Sequence, residues 1–331
     1  MNRRAPRTQK IVKALVWARD ILFFVVLAGL MALAGLIVWK MALGEFAPYL
    51  REMSYAALIA AMLIYLLGHL FRILRLAMLI GGWRIGFRTA ASFHLFSAAA
   101  SLIAPLKSGE LYRMTEMSNI IGSFANSFII VLWERIFDVL ALVCLALLLG
   151  SLSTANHSSD LAVLTLVSLG FLAMCAIVFF VIPDSLRRLT LLIILRYDSP
   201  KSVWWLHQLT NLRRLIVHAP LVVRGKVASL ITLTAMIWIC EVASVVLSLP
   251  QSSLSIERAL DTLVSYFAAL STGETLFSIL SDSGNAIMAT KFYPHIIATQ
   301  IPLALIGLIA GLYYAKRRNK RLIASGRVDG R

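Results

Sequence analysis

Long apolar runs are the feature of this sequence that most restricts its fold. Residues 21–38, 161–182 and 296–314 are almost entirely hydrophobic. Each run has about 20 residues, which is the length that an α-helix needs to cross about 30 Å of hydrocarbon. Hydrophobic residues make up 60% of the 331-residue chain, whereas soluble domains contain about 45–50%. The sequence therefore predicts an all-α, polytopic integral membrane protein.

The first apolar run follows a basic N-terminal segment, as a signal peptide would. A signal peptide has an apolar core of only about 7–15 residues and a small-residue cleavage site. Here the run is longer and leads directly to Lys40. We therefore expect an uncleaved first span.

Basic residues divide the predicted loops into two classes. They are concentrated in 1–19, 72–88, 183–227 and 316–331, whereas 151–160 and 250–256 contain no Lys or Arg. The positive-inside rule then places both termini and the central loop in the cytoplasm, in a bacterial inner membrane. The net charge of +16 fits anionic membrane lipids better than nucleic acid, because the basic residues flank apolar runs. The candidate full spans are 20–42, 55–71, 124–150, 161–182, 228–249 and 294–315.

Two further apolar segments, 89–120 and 257–290, are interrupted by polar residues and Gly, and the first also by Pro. Six full spans already satisfy two cytoplasmic termini, so each interrupted segment should begin and end on one side. We predict two re-entrant helical hairpins of opposite orientation, in inverted-repeat-like halves. The alternative is that each segment forms two short spans.

This topology makes 1–331 a single membrane domain. Its expected parts are a basic N-terminus (1–19), a first half (20–182), a cytoplasmic amphipathic region (183–227), a second half (228–315) and a basic tail (316–331). In the amphipathic region, 185–196 and 202–217 have apolar residues at helical spacing, and Trp204 and Trp205 are typical interface anchors. These helices either bind anionic lipid or serve only as anchors, which is the commoner case.

Charged residues follow the break in the first interrupted segment. Lys107, Glu110 and Arg113 come just after Pro105 and Gly109. On a helix, Glu110 and Arg113 are three residues apart and can pair. The alternative is a cytoplasmic loop whose charges are solvated.

A second charged group, Glu134, Arg135 and Asp138, lies inside an otherwise apolar run. Glu134 would lie about 15 Å into a helix that begins near Phe124. A charge at the centre of a bilayer costs at least about 2.5–3.5 kcal/mol, so these side chains must pair with one another or with other polar groups. They form either a structural salt-bridge cluster or, with Lys107 and Arg113, the lining of a polar cavity.

These residues resemble a known family. The order Pro105-x-x-x-Gly109-Glu110-x-x-Arg113 followed by Glu134-Arg135-x-x-Asp138 is similar to the flippase-like membrane family that includes the transmembrane region of lysylphosphatidylglycerol synthase; Phe71-Arg72, Arg75, Phe87 and Ala90 also fit. The resemblance implies a protein that moves or gates lipids. In the synthase this region accompanies a cytosolic aminoacyl-transfer domain. Only a short basic tail follows Tyr314, so we do not expect synthase activity.

The second half departs from the family, in which we would expect a turn rich in Pro and Gly followed by Glu. The acidic candidates are Glu274 and Asp282, and the sequence does not choose between them. Glu241, within a predicted span, is a further candidate for the cavity, or it simply packs beside Trp238. The cysteines and histidines show no metal-ligand spacing, so we predict no metal, cofactor or catalytic residue.

Three functions remain open from the sequence. The first is a translocase for a phospholipid or a lipid-linked sugar, with the anionic headgroup bound between the hairpins. The second is a non-catalytic subunit that presents lipid to a partner glycosyltransferase or aminoacyltransferase in the membrane. The third is a membrane-embedded headgroup transferase. For the first, we expect Lys107, Arg113 and Arg135 to meet phosphate while Glu110, Glu134 and Asp138 hold these cations or bind a cationic headgroup.

Overall fold

The described part of the chain is helical, with no strand among those residues. The computed structural model describes residues 21, 24–39, 43–44, 54–81, 86–103, 108–152, 158–196, 200–249, 259–260, 262–264, 266 and 295–324. The helices are α1 (Phe24–Trp39), α2 (Tyr55–Ile80), α3 (Phe87–Ile103), α4 (Ser108–Ile121), α5 (Phe124–Leu152), α6 (Ser158–Ala176), α7 (Ile182–Arg196), α8 (Pro200–His218), α9 (Val227–Leu247) and α10 (Ile301–Ala324). The prediction of an all-α fold is confirmed.

Four helices of the described part are long and apolar enough to cross a membrane. They are Tyr55–Ile80, Ala162–Arg196, Val227–Leu247 and Ile296–Tyr313. The apolar helix α1 is shorter, and the 29-residue helix α5 contains the three charged residues predicted to lie in a span. Membrane-spanning helices are therefore confirmed, whereas the number of six spans stays a prediction.

Helix α2 is longer than the sequence suggested. The predicted span ended at residue 71, and Arg72 and Arg75 were assigned to the following cytoplasmic loop. In the structure both lie inside α2, and Arg75 is only 3% exposed. The positive-inside pattern misplaced them, because an arginine that pairs with a carboxylate on another helix looks in sequence like one that ends a span.

Helices α6 and α7 form one continuous helix through a π-helical turn at Ile177–Val181. The predicted span was expected to end at residue 182 and the helix at 185–196 to be separate. Pro183 lacks a backbone N–H, and a π turn is a usual accommodation of such a local break. The 35 residues of Ala162–Arg196 extend about 52 Å, well beyond the hydrocarbon thickness. Helix α8 covers the second predicted helix and packs against α7, whereas its position on the cytoplasmic surface of the membrane stays a prediction.

The first interrupted segment forms two helices, α3 and α4, that pack against each other. Gly109, near the start of α4, makes this contact close: a Cβ atom there would lie 2.7 Å from the backbone nitrogen of Ser101. The helices have 17 and 14 residues, or about 25 and 21 Å, and each is shorter than the hydrocarbon. The second predicted hairpin, 257–290, lies almost entirely outside the described residues.

Helix α10 packs closely on α3 through two glycines. A Cβ atom at Gly307 would collide with Ala99, and one at Gly311 would collide with the ring of Phe96. Glycines four residues apart allow two helix backbones to approach closely within a membrane. Phe96 and Ala99 belong to an apolar core that also includes residues of α1, α5, α6 and α9.

Helices α2 and α9 form a long antiparallel pair that carries polar side chains into the interior. Lys226, just before α9, donates to the backbone oxygen of Met78 near the end of α2. Further along the pair, Arg75 reaches Thr234 and Arg72 reaches Glu241. The seam between these two helices therefore contains Arg72, Arg75, Thr234 and Glu241 as part of the candidate site.

Candidate headgroup site in the helix bundle

Arg113 on α4 forms the most deeply buried ion pair in the described part of the chain. Its guanidinium donates to Glu134 on α5, and the two residues are 4% and 1% exposed. Arg113 also lies 3.6 Å from the carboxylate of Glu110, one turn earlier on α4. The pairing that the sequence allowed between Glu110 and Arg113 is present, and α5 supplies the second carboxylate.

Arg135 and Asp138 extend this cluster along α5. Arg135 donates to Glu110 across the helix interface and lies 3.5 Å from Asp138. Asp138 also accepts a 2.6 Å hydrogen bond from Arg75 on α2, and Arg75 donates to Thr234 on α9. The result is an ion cluster of six residues on three helices, which the hydrogen bond from Arg75 to Thr234 connects to α9: Arg75, Glu110, Arg113, Glu134, Arg135 and Asp138.

A second polar chain begins at Arg72, three residues before Arg75 on α2. Arg72 donates to Glu241 at 2.9 Å, and the Tyr266 hydroxyl donates to the other oxygen of that carboxylate at 2.7 Å. His295 lies 3.4 Å from the Tyr266 oxygen through Nε2 and 3.2 Å from Ser248 through Nδ1. We call these five residues the relay chain.

The polar contacts follow α9 over most of its length. Thr234, Glu241 and Ser248 lie at seven-residue intervals and touch Arg75, Arg72 and His295 respectively. Fourteen residues of helix correspond to about 21 Å along the axis. The ion cluster and the relay chain thus form a polar file about two-thirds as long as the hydrocarbon is thick.

Two histidines pair beside this file. His69 on α2 and His94 on α3 lie 3.2 Å apart through Nδ1 and Nε2, and both are at most 5% exposed. Their outer nitrogens, His69 Nε2 and His94 Nδ1, have no hydrogen-bond partner among the described residues. Buried polar groups are normally satisfied by protein or by ordered water, so these two nitrogens mark positions in the bundle where such a partner is expected.

Charges within the polar file are balanced. Its ion pairs match four guanidinium groups (Arg72, Arg75, Arg113, Arg135) with four carboxylates (Glu110, Glu134, Asp138, Glu241). The side chains of Arg135 and Arg72 are 39% and 27% exposed, whereas Arg75 and Arg113 are buried. The Nε atoms of the two buried arginines have no acceptor in the described part, and they remain available to an oxygen of a ligand or water.

The structure brings together five of the residues proposed from the sequence: Glu110, Arg113, Glu134, Arg135 and Asp138. Glu241 lies apart from them, in the relay chain, and in the described part of the chain it connects to them through Arg72 and Arg75 on α2. Lys107, Glu274 and Asp282 lie outside the described residues.

Sequence reasoning missed Arg72, Arg75, Tyr266 and His295 as members of the site. Two signals were available for Arg72 and Arg75: both fit the family resemblance, and the carboxylates Glu134, Asp138 and Glu241 in apolar runs needed cations within the bundle. The arginines just after the predicted second span were the nearest unassigned ones.

Comparison with family profiles gives a match to the family described as the lysylphosphatidylglycerol synthase TM region, over residues 21–284. This range covers well over half of the chain. The chain belongs to this family. Comparison with curated proteins and with solved structures found no significant match. The match spans α1 to α9 and contains the whole ion cluster, so family membership supports a lipid-related function in a membrane.

Proposed function

We propose that this protein binds a phospholipid or a lipid-linked sugar by its anionic headgroup and moves that headgroup across the membrane. The polar file carries this proposal. It places eight paired charges inside a bundle of apolar helices, and hydroxyl and imidazole groups continue the file to Ser248, so that it follows α9 for about 21 Å. A stretch of this kind inside membrane helices is typical of a substrate or ion pathway.

The partly exposed members of the file favour a wet cavity. The side chains of Arg72 and Arg135 are partly exposed although they lie on apolar helices. Contact of these charges with hydrocarbon would cost at least about 2.5–3.5 kcal/mol each. A water-filled cavity that admits a headgroup avoids this cost, and the lipid tails can remain in the bilayer.

The α3–α4 pair supports a re-entrant hairpin beside this cavity. Both helices are too short to cross the hydrocarbon, and α4 supplies Glu110 and Arg113 to the ion cluster. We place the cavity between this hairpin and a second one at 257–290, in a bacterial inner membrane with both termini in the cytoplasm. Glu274 and Asp282 are the acidic candidates on the second side, and Lys107 is a further cation at the first.

Reconstitution tests the proposal directly. The purified protein is placed in liposomes that contain trace fluorescent phosphatidylglycerol, and dithionite then bleaches the outer leaflet. Translocation of the headgroup exposes inner-leaflet label to bleaching, so the bleached fraction should exceed that of protein-free liposomes. A panel with fluorescent phosphatidylethanolamine and a short-chain polyprenyl phosphate sugar covers the other headgroup classes. If a folded protein gives the protein-free result for every lipid, the proposal is wrong.

A further inference from the structure

The balance of charge in the polar file limits how an anion can enter it. Arg72, Arg75, Arg113 and Arg135 each already contact at least one carboxylate. Adding a phosphate would leave an excess negative charge in a poorly solvated site, which is strongly unfavourable. Among the eight charges of the polar file that the structure describes, an anionic headgroup therefore finds an unpaired cation only when one of the carboxylates is neutralised at the same time.

Glu241 is the carboxylate of the polar file that the hydroxyl and imidazole groups of the relay chain reach. It is 6% exposed and contacts Arg72 through one oxygen and the Tyr266 hydroxyl through the other. The relay chain extends from it through His295 to Ser248, at the C-terminal end of α9. Hydroxyl and imidazole groups at hydrogen-bond distance can pass a proton along such a chain.

Among the residues that the structure describes, no second carboxylate is in direct contact with Glu241. From α2, Arg72 and Tyr65 act on it electrostatically, and Asp138 on α5 acts on the same Arg72. Tyr266 and His295 complete its surroundings from the second half of the chain. Among these groups, protonation of Glu241 is the event that removes the counterion of Arg72.

We propose that Glu241 and Arg72 couple proton uptake to binding of the headgroup phosphate. This inference rests on the proposed function. A proton converts the Glu241 carboxylate to a carboxylic acid, the Arg72 guanidinium keeps its charge, and the phosphate replaces the carboxylate as its counterion. Net charge is conserved in the site. When the proton leaves, the carboxylate recaptures Arg72 and the headgroup is released.

Thermodynamic linkage between proton binding and phosphate binding fixes the direction in which pH changes the affinity for phosphate. If phosphate binding requires a protonated Glu241, the affinity for phosphate must fall as pH rises, and the limiting slope is about tenfold per pH unit for one proton. A variant with a permanently neutral side chain at this position should bind the anion at every pH. The proposed exchange of counterions requires a phosphate anion. Testing a lipid and inorganic phosphate side by side distinguishes a lipid headgroup from free phosphate as the source of that anion.

Binding of dihexanoyl phosphatidylglycerol to the purified full-length protein, followed by tryptophan fluorescence between pH 5 and 9, tests the coupling. We expect wild-type affinity to fall with rising pH and the affinity of Glu241→Gln to stay constant at the low-pH value. Asp184→Asn is the matched control, because Asp184 is exposed on α7, and its pH profile should follow the wild type. Inorganic phosphate should compete only weakly, whereas equal competition would overturn the assignment of a lipid headgroup.

Tyr266→Phe gives an independent readout that leaves the carboxyl group in place. It removes the hydrogen bond that favours the carboxylate form, so binding should persist to higher pH than in the wild type. A pH-independent wild type, or a Glu241→Gln protein with the wild-type slope, would overturn the coupling while leaving lipid translocation intact. Failure of every lipid in the liposome assay would instead overturn the proposed function.

Discussion

Arg113 on α4 and Glu134 on α5 form an ion pair that is almost completely shielded from solvent. Helices α4 and α5 are consecutive in the chain, and this pair fixes how they pack. Breaking a buried pair by removing one partner leaves an uncompensated charge, whereas replacing both partners by apolar groups is often neutral. Variants of this pair can therefore separate the free-energy cost of an unpaired buried charge from the free energy of the interaction between the two side chains.

Arg113→Met and Glu134→Leu should each lower stability by about 3–5 kcal/mol. The double variant should recover a large part of that loss, because neither charge is left alone. Thermal unfolding of the detergent-purified wild type, the two single variants and the double variant measures their relative stabilities in a double-mutant cycle. Additive losses in the double variant would show that the two side chains do not interact.

Gly109→Ala tests the close contact between α3 and α4. The added methyl group would lie 2.7 Å from the Ser101 backbone nitrogen, so the helices must separate. We expect a loss of about 1–3 kcal/mol, the usual cost of overpacking, and slower lipid translocation because Glu110 and Arg113 shift with α4. Gly150→Ala on α5 is the control, since nothing lies within 4 Å of a Cβ atom there. Equal behaviour of the two variants would contradict the close contact.

Gly307→Leu tests the packing of α10 on α3. A side chain there collides with Ala99 and should destabilise the protein by at least about 1–3 kcal/mol. Gly170→Leu on α6 makes the same chemical change where no neighbour lies within 4 Å, and its melting temperature should stay close to the wild type. A Gly307 variant as stable as the Gly170 variant would show that α10 does not approach α3 in the membrane.

The sequence predicted the elements whose signal is local. The apolar runs located the four helices that are long and apolar enough to cross a membrane, although two of these helices extend beyond the predicted ends at residues 71 and 182. The charges at 134–138 were recognised because they violate the apolar pattern of their own helix. The amphipathic helices of the central region were likewise read from their own periodicity. The local sequence pattern was sufficient to predict these features because each of them depends on the residues of a single helix.

The sequence failed where a residue's role depends on a distant partner. Arg75 looked like a residue that ends a span, and only the position of Asp138, 63 residues later, shows that it pairs inside the bundle. Glu241 and Tyr266 lie on separate segments, and their hydrogen bond needs the tertiary fold to bring them together. The close approach of Gly307 to Ala99 joins two residues that are 208 positions apart in the sequence (307 − 99). None of these contacts leaves a local pattern that would reveal it.

The rate of phosphatidylglycerol translocation by Arg135→Gln in liposomes tests most directly whether the headgroup passes through the ion cluster. Arg135 is the most exposed cation of the ion cluster, so its loss should affect a passing headgroup more than the stability of the fold. Arg188→Gln, at an exposed position on α7, is the matched control. We expect translocation by the wild type and by Arg188→Gln. For Arg135→Gln we expect a rate at least about tenfold lower, which corresponds to an increase of about 1.4 kcal/mol in the activation free energy. Equal rates for the two variants at equal folded protein would contradict a headgroup path through the ion cluster.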